Sequence, residues 1–295
     1  MPTLKYEEIE TLQAFTGLFL ARAKAVEKEK NILWYRGAGK YDYKLEPSLF
    51  RHSEKDIIEL LKLEKKLMTR FHQRGYPFVQ KPFPDNWERL FFMQHYGLPT
   101  RLLDWSESPY VALYFALDSA KRKDDGNYED NVAVWILNPT KWNEFLYPRP
   151  SQNRDILTSL DKEQLDRYAP PDNPEVHSLL APPVALYGTH NSQRIVSQRG
   201  VFIMFGSSTL PMEEQYENYL GLNVKSEPAN FPPDLLLKIK IPALKIDALK
   251  KELSGASGKS AGVQAAVGSR ASPALRRGRW RRLRPQTNGC RCKFQ

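Results

Sequence analysis

The stretch "QHYGLPTRLLDWSESPYVALYFAL", residues 94–117, decides how this chain is expected to fold. From Tyr110 to its end the stretch is apolar on every side, which predicts a helix that is buried all round. Either Ser106 or Ser108 can cap that helix, and Pro109 suits its first turn because the N–H group there has no intrahelical partner. The residues just before the helix, "PTRLLDW" at 99–105, have the pattern of an extended strand. The sequence therefore predicts a strand that leads into a central buried helix.

Helical patterns precede this stretch. Apolar residues recur at helical spacing in residues 7–27, and again in a segment that begins at Ser53. In that segment Asp56 stands three residues on, an arrangement that resembles a capping box. A further helix is predicted after Asp85, and Gly97 is its natural stop because glycine tolerates the left-handed backbone at a helix end.

Strand patterns complete the body of the chain. They lie at residues 31–37, 131–137, 200–205 and 235–242. In the last of these, apolar residues alternate with Lys238 and Lys240, which predicts a half-exposed strand. Residues 147–194 read as long loops with one short helix at 161–168. The mixed order of helices and strands predicts a single α+β domain over residues 1–253.

The basic charge is confined to the C-terminal tail. The chain carries a net charge of +10, and from Ser254 onward it contains ten Lys and Arg residues with no Asp or Glu. The body is therefore neutral, with 34 basic and 34 acidic residues. Residues 254–295 contain few large apolar side chains, so we expect them to be disordered. Their charge could bind nucleic-acid phosphates or an acidic membrane face, and the abrupt change also fits an altered reading frame.

Several classes of protein are disfavoured by what the sequence lacks. The two cysteines, Cys290 and Cys292, are too close for a good disulfide and too few for zinc, so no metal site is expected. Local signatures of serine hydrolases, zinc proteases, ATPases and Rossmann folds are missing. No apolar run reaches the ~18 residues that span a bilayer, and the N-terminus does not resemble a secretory signal. A cytoplasmic protein without a membrane span is the expectation.

Two polar groups stand out near the predicted strand and helix ends. Arg36 lies at the end of an aromatic-rich strand, and Gly37 and Gly39 beside it let the backbone approach a ligand closely or turn sharply. The planar guanidinium group of Arg36 can bind a phosphate or a carboxylate. Alternatively, Arg36 has a purely structural role and forms an ion pair with an acidic residue of the protein. His95 and Tyr96 lie in the last turn of a predicted helix, where a histidine also interacts favourably with the negative helix end.

Two further clusters combine polar and apolar residues. If "TRLLDW" is extended, Thr100 and Asp104 face one way and Arg101 the other. Because buried polar groups need partners, Arg101 or Asp104 is expected to pair with Asp42, Arg36 or a helix end, or to contact a ligand. The other cluster precedes the strand at 200–205.

That last cluster contains Arg194 and Gln198, followed by Gly200, which permits a bulge or tight turn. Gln198 can donate and accept hydrogen bonds, but it cannot ionise and so cannot act as a general base.

Taken together, these motifs resemble the FRG domain, which is named for its (F/Y)-R-G motif. "WYRG" with "LEPSLFR", "MQHYGLPTRLLDWSESPYVALYFAL" and "SQRIVSQRGVFIMFG" occur in order over residues 31–206. The FRG family is grouped by fold with ADP-ribosyltransferases. The resemblance therefore implies an ADP-ribosyltransferase-like α+β fold, with a mixed, mostly antiparallel sheet packed by helices.

The resemblance also implies a ligand and a site. Arg36 matches the residue that holds NAD in ADP-ribosyltransferases, and Gln198 stands where those enzymes place a glutamate. The implied catalytic residues are Arg36, Asp104 and Gln198. The implied cofactor-binding residues are Arg36, Gly37, His95, Tyr96, Thr100, Arg101, Ser106 and Arg194.

Three functions follow as expectations. The first is an NAD-dependent ADP-ribosyltransferase-like effector of a bacterial toxin or defence system, which modifies a macromolecular acceptor. The second is a module on the same fold that binds a nucleotide or a partner without turnover. The third is nucleic-acid binding through the basic tail.

Overall fold

The computed structural model describes residues 5–27, 31–54, 56–75, 83, 85–146, 155–158, 161–168, 182–188, 199–223 and 235–257. Its strands are β1 (Lys5–Glu8), β2 (Trp34–Ala38), β3 (Leu102–Ser106), β4 (Val132–Leu137), β5 (Val184–Leu186), β6 (Gly200–Met204) and β7 (Leu236–Ile241). Its α-helices are α1 (Leu12–Glu27), α2 (Ile57–Gly75), α3 (Asn86–His95), α4 (Pro109–Asp118), α5 (Pro139–Leu146), α6 (Lys162–Leu165), α7 (Met212–Asn223) and α8 (Ile246–Ser257). Short 3-10 helices lie at Ser48–Arg51 and Ala243–Lys245.

The strands form one mixed sheet in the order β1-β7-β4-β2-β3-β6-β5. β1 runs parallel to β7, and every other neighbouring pair is antiparallel. The prediction of an α+β fold with a mixed, mostly antiparallel sheet is therefore confirmed. β2 pairs with β4 along its whole length, but it pairs with β3 only at Tyr35 and Ser106. Beyond that pair the two central strands separate, and this opens a gap in the sheet.

Helices cover both faces of the sheet. Side chains alternate along β2, so that buried Trp34 and Tyr35 belong to cores on opposite faces. The Tyr35 face is packed by α1, α4 and α8. The Trp34 face is packed by α5, α7 and the start of α2. α3 packs over β3, β6 and β5, with Phe91 against Phe202 at a ring-centroid distance of 5.1 Å.

α4 approaches β2 so closely that glycine is required there. A Cβ atom on Gly39 would lie 2.5 Å from the carbonyl oxygen of Ser119, and Gly37 is in a similar position against Ala112. Real Cβ atoms do not approach backbone atoms to this distance. The close packing of the central helix and its C-terminal end therefore explains both glycines that follow Arg36.

The local signals around the central stretch are confirmed. Asp85 caps α3 by accepting a hydrogen bond from the Glu88 N–H at 2.8 Å, and Gly97 follows the helix with φ +74°. Of the two candidate caps for α4, Ser108 is the one that accepts a hydrogen bond from the Val111 N–H. Pro109 occupies the first turn of that helix, as predicted.

Three predicted elements need correction. The segment predicted as a helix over 7–27 begins with part of β1, and its helix starts only at Leu12, because the first residues pair with β7. α2 begins at Ile57 rather than at Ser53, since Asp56 accepts from the Glu59 N–H at 3.0 Å and so serves as its cap. β7 is not half-exposed: Lys238 is 7% exposed, and its ammonium lies over the rings of Tyr41 and Trp135.

The structure also shows where the predicted loops and the predicted tail contain regular secondary structure. The short helix predicted at 161–168 is α6, whereas β5 lies in a segment predicted as loop. α8 continues to Ser257, past the predicted domain boundary at residue 253. The rest of the predicted disordered tail, residues 258–295, lies outside the described residues. None of the described helices is long and apolar enough to span a bilayer.

Candidate functional site

A cavity of about 290 Å³ lies between α3 and α4, above β2, β3 and β6. It lies on the same face of the sheet as the Tyr35 core, at the point where β2 and β3 separate. Its polar wall is formed by Arg36, Gln94, His95, Asp104, Ser106 and Ser119. Its apolar wall includes Tyr35, Phe91, Val111, Phe115 and Phe202. Segments that are far apart in the sequence thus bring their polar groups around one ligand-sized space.

Arg36 spans the gap between the two central strands. Its guanidinium Nη1 donates a hydrogen bond to the main-chain carbonyl oxygen of Asp104. This bond joins β2 to β3 beyond the Tyr35–Ser106 pair, where the backbones no longer pair. Because a guanidinium carries several N–H donors, Arg36 can make this bond and also donate to a ligand in the cavity.

Arg36 is half-buried in the cavity wall. Burial lowers the pKa of Arg36 to about 10, an effect that the negative charge of Asp104 opposes and the positive charge of Arg51 reinforces. The guanidinium therefore remains charged at neutral pH, and its partial burial strengthens its attraction to an anionic ligand.

Asp104 presents an oriented carboxylate to the cavity. Asp104 is the exposed residue of an otherwise buried strand, β3. Its Oδ2 accepts a hydrogen bond from Gln94 Nε2 at 2.7 Å, and Gln94 Oε1 accepts one from Thr100 Oγ1 at 2.5 Å. Because a carboxylate only accepts hydrogen bonds, the Nε2 end of the Gln94 amide faces Asp104, and the Thr100 hydroxyl holds the Oε1 end. Carboxylate oxygens have further lone pairs, so Asp104 can still accept hydrogen bonds from a ligand.

Gln94 is a site residue that the sequence reasoning missed. It lies in the last turn of α3, directly before the His95–Tyr96 pair that was selected. Its signal was its position next to His95 in the last turn of α3, since both residues line the cavity. An uncharged amide gave no electrostatic reason to choose it.

Aromatic side chains continue from the cavity wall to the protein surface. His95 lines the cavity, and its ring centroid lies 5.2 Å from that of Tyr96. Tyr96 is 45% exposed, and its ring also lies 5.8 Å from Phe92 and 6.4 Å from Phe71. Tyr96 is therefore not part of the cavity wall but belongs to an aromatic rim beside it.

Arg101 is placed away from the cavity. Its side chain is fully buried, and its Nε donates to Glu64 Oε2 on α2 at 2.8 Å. Its remaining nitrogens donate to the main-chain carbonyls of Phe205 and Tyr168. Of the alternatives for this residue, the geometry supports the buried ion pair. Thr100 is also fully buried and reaches the cavity only through Gln94.

The remaining predicted site residues fall into two groups. Arg36, Gly37, His95, Asp104 and Ser106 all line the cavity. Arg194 and Gln198 lie outside the described residues.

The start of β6 belongs to the cavity wall and follows a residue with an uncommon backbone conformation. Arg199 has φ +46°, in the left-handed region that non-glycine residues rarely adopt, and Gly200 lines the cavity. Backbone strain of this kind persists where the surrounding structure imposes it, and it is common beside functional sites.

The described residues hold no group of three or more His, Cys, Asp or Glu side chains that could bind a metal ion. Among the described residues that line the cavity, the polar side chains are those of Arg36, Asp104, His95, Gln94, Ser106 and Ser119.

Comparison with known proteins assigns this region to a family. Residues 31–125 match the family model described as FRG domain. The chain contains an FRG domain. The match runs from β2 past α4, so the FRG domain includes Arg36, Gln94, His95 and Asp104 as well as the helix packed on Gly37. No significant match was found among curated proteins, and none among solved structures.

Proposed function

We propose that the cavity of the FRG domain binds NAD, and that the protein transfers the ADP-ribosyl group of NAD to a macromolecular acceptor. One observation carries this proposal: the guanidinium of Arg36 and the carboxylate of Asp104 line the same cavity. A cation that can bind phosphate therefore lies beside an acid that can bind a ribose. The family resemblance supplies NAD as the nucleotide, and a bacterial toxin or defence system as the setting.

Each part of NAD has a complementary group in the cavity. The pyrophosphate suits Arg36, because guanidinium groups bind phosphate oxygens through charge-assisted hydrogen bonds. The hydroxyl groups of the nicotinamide ribose suit Asp104, whose carboxylate Gln94 orients. The nicotinamide ring suits the aromatic wall of Tyr35, Phe91 and Phe115.

The transfer step needs negative charge near the ribose. The bond between ribose C1′ and the nicotinamide nitrogen breaks, and nicotinamide leaves with the bonding electron pair. The positive charge that develops on the ribose is stabilised by the Asp104 carboxylate, as in other electrostatically assisted reactions. A nucleophile of the acceptor then bonds to C1′ and passes its proton to a water molecule. Gln198, in place of a glutamate, can orient a ribose hydroxyl but cannot take that proton.

Binding without turnover is the second candidate function. It is favoured by the uncharged Gln198 in the position where ADP-ribosyltransferases are expected to carry glutamate. In that case Arg36 and Asp104 form a recognition pocket, and the protein binds a nucleotide or a partner without a chemical reaction.

Two measurements on the full chain separate these functions. Calorimetry with NAD and with ADP-ribose measures binding, while release of nicotinamide and transfer of labelled ADP-ribose to cell-extract proteins measure turnover. We expect Arg36→Ala to weaken NAD binding by about 1.5–3 kcal/mol, roughly 10–100-fold, because it removes charge-assisted hydrogen bonds. Arg22→Ala is the matched control, since Arg22 pairs with Glu7 at the edge strand β1, away from the cavity.

Each result has a defined meaning. NAD binding with nicotinamide release supports transfer, and NAD binding without release supports the binding module. If wild-type protein does not bind NAD, or if Arg36→Ala binds it as well as Arg22→Ala does, then the proposed site is wrong.

A further inference from the structure

The cavity is small for the ligand proposed above. Sites for small molecules usually have volumes of about 300–1,000 Å³, and this cavity has about 290 Å³. NAD consists of two nucleosides joined by two phosphates. A space at the lower end of this range suits one nucleoside with its phosphate. The second nucleoside must then lie outside, across the rim of the cavity.

The identity of the inner half follows from the chemistry. The bond to be broken joins nicotinamide to its ribose, and the carboxylate that stabilises this ribose is Asp104, in the cavity wall. The nicotinamide half is therefore the inner one. The adenosine half extends outward past Arg36, which contacts the phosphates between the two halves.

The rim beside the polar wall is aromatic and exposed. Tyr96 is 45% exposed, and its ring centroid lies 5.8 Å from that of Phe92 and 5.2 Å from that of His95. The Tyr96 ring therefore combines contacts with neighbouring rings with substantial exposure to solvent. Because His95 itself lines the cavity, this aromatic surface is continuous with the proposed nicotinamide site.

We propose that Tyr96, supported by Phe92 and His95, is the stacking platform for the adenine base of NAD. This inference rests on the function proposed above and adds a second subsite to it. An exposed aromatic ring suits a purine because every nucleobase has a flat π-face that stacks on it. With this platform, a chain with a small cavity would bind a dinucleotide more tightly than a mononucleotide.

The test compares ligands with and without adenine. Calorimetry on the full chain measures the dissociation constants of NAD, ADP-ribose and nicotinamide mononucleotide for wild type, Tyr96→Ala and Tyr96→Phe. Tyr6→Ala is the matched control, because Tyr6 is 57% exposed on the edge strand β1, three strands from β2. Circular dichroism confirms that each variant is folded.

We expect Tyr96→Ala to weaken NAD and ADP-ribose binding roughly 5- to 100-fold, the range of one base–aromatic stack. Tyr96→Phe should retain binding, because the ring is kept and only the hydroxyl is lost. Nicotinamide mononucleotide should bind Tyr96→Ala and wild type equally.

Two outcomes overturn the platform while leaving the proposed function intact: NAD affinity that does not change in Tyr96→Ala, or an equal loss for NAD and the mononucleotide. A wild-type protein that binds neither NAD nor ADP-ribose overturns both the function and the platform.

Discussion

Gly37 lies directly against the central helix, so that a Cβ atom on this residue would stand 2.0 Å from the carbonyl oxygen of Ala112. It would also stand 2.6 Å from the backbone nitrogen of Ala116. Both Gly37 and Ala112 line the cavity, as does Arg36. The glycine of the R-G motif therefore sets the distance between β2 and α4, and with it the width of the space that Arg36 faces.

Gly37→Ala is expected to destabilise the protein. The added methyl group meets backbone atoms of α4, which cannot move away as a flexible side chain could. Overpacking of a core usually costs about 1–3 kcal/mol, and a clash with backbone lies at the upper end of that range or above it. Urea unfolding followed by circular dichroism measures the change.

Gly17→Ala is the control for that measurement. Gly17 is exposed in the middle of α1, and a Cβ atom there meets nothing within 4 Å. Replacing a helical glycine by alanine usually stabilises by about 0.5–1 kcal/mol. If both variants change stability in the same direction, the close contact between Gly37 and α4 is not the cause.

Glu64→Gln tests whether Arg101 has a structural role. The substitution leaves the guanidinium of Arg101 buried beside an uncharged amide, and breaking a buried ion pair in this way usually costs about 3–5 kcal/mol. The exposed pair of Glu59 and Lys62 on the same helix provides the control, since Glu59→Gln should cost no more than about 0.5 kcal/mol. Unfolding curves compare the two variants.

Ligand binding by the folded Glu64→Gln variant should be unchanged, because Arg101 does not line the cavity. Loss of NAD affinity without loss of stability would show instead that Arg101 contacts the ligand.

Gln94→Leu should weaken NAD binding without unfolding the protein. The variant keeps the approximate shape of the side chain but removes the amide that donates to Asp104 at 2.7 Å. The freed carboxylate can then rotate away from the ribose position. Hydrogen bonds to charged groups contribute about 1.5–3 kcal/mol, so we expect roughly a 10-fold loss of affinity by calorimetry.

Thr100→Val should produce a smaller loss of the same kind, because its hydroxyl only orients the Gln94 amide. Gln13→Leu, on the exposed side of α1, is the control. Equal affinities in the Gln94 and Gln13 variants would contradict a positioning role for Gln94.

Alkaline pH should reveal the burial of Tyr35. Burial raises the pKa of Tyr35 to about 12, whereas a tyrosine in the unfolded chain ionises near pH 10. Between these values the unfolded chain loses a proton that the folded chain keeps. The free energy of unfolding therefore falls as pH rises above 10, by up to about 1.4 kcal/mol per pH unit from this group.

Comparison with Tyr35→Phe isolates this effect. Arg36, whose pKa burial lowers to about 10, acts in the opposite direction over the same pH range, but it is present in both proteins. The stability of wild type relative to Tyr35→Phe should be constant below pH 10 and should fall above it. A difference that stays constant to pH 11.5 in urea unfolding would contradict the burial of this hydroxyl.

The sequence predicted the central stretch well because its signals are local. Asp85, Gly97 and Ser108 each lie within a few residues of the helix end that they set, so their meaning does not depend on distant parts of the chain. The pairing of a buried strand with an all-apolar helix followed from composition alone. The presence of Arg36 and Asp104 near one site followed from the family resemblance.

The sequence could not predict features that depend on distant partners. β1 is four residues long and pairs with β7 at the other end of the domain, so its helix-like pattern was misleading. Arg101 was ambiguous until Glu64 was found beside it. Lys238 alternates with apolar residues as an exposed residue would, but the ring of Tyr41, nearly 200 positions earlier, covers it.

The most direct test of the account is a crystal structure of the full chain soaked with NAD at a concentration that saturates binding in solution. The account predicts nicotinamide ribose in the cavity, with a hydroxyl on Asp104 and the pyrophosphate on Arg36. A cavity without nucleotide density, or a nucleotide bound elsewhere on the protein, would contradict it.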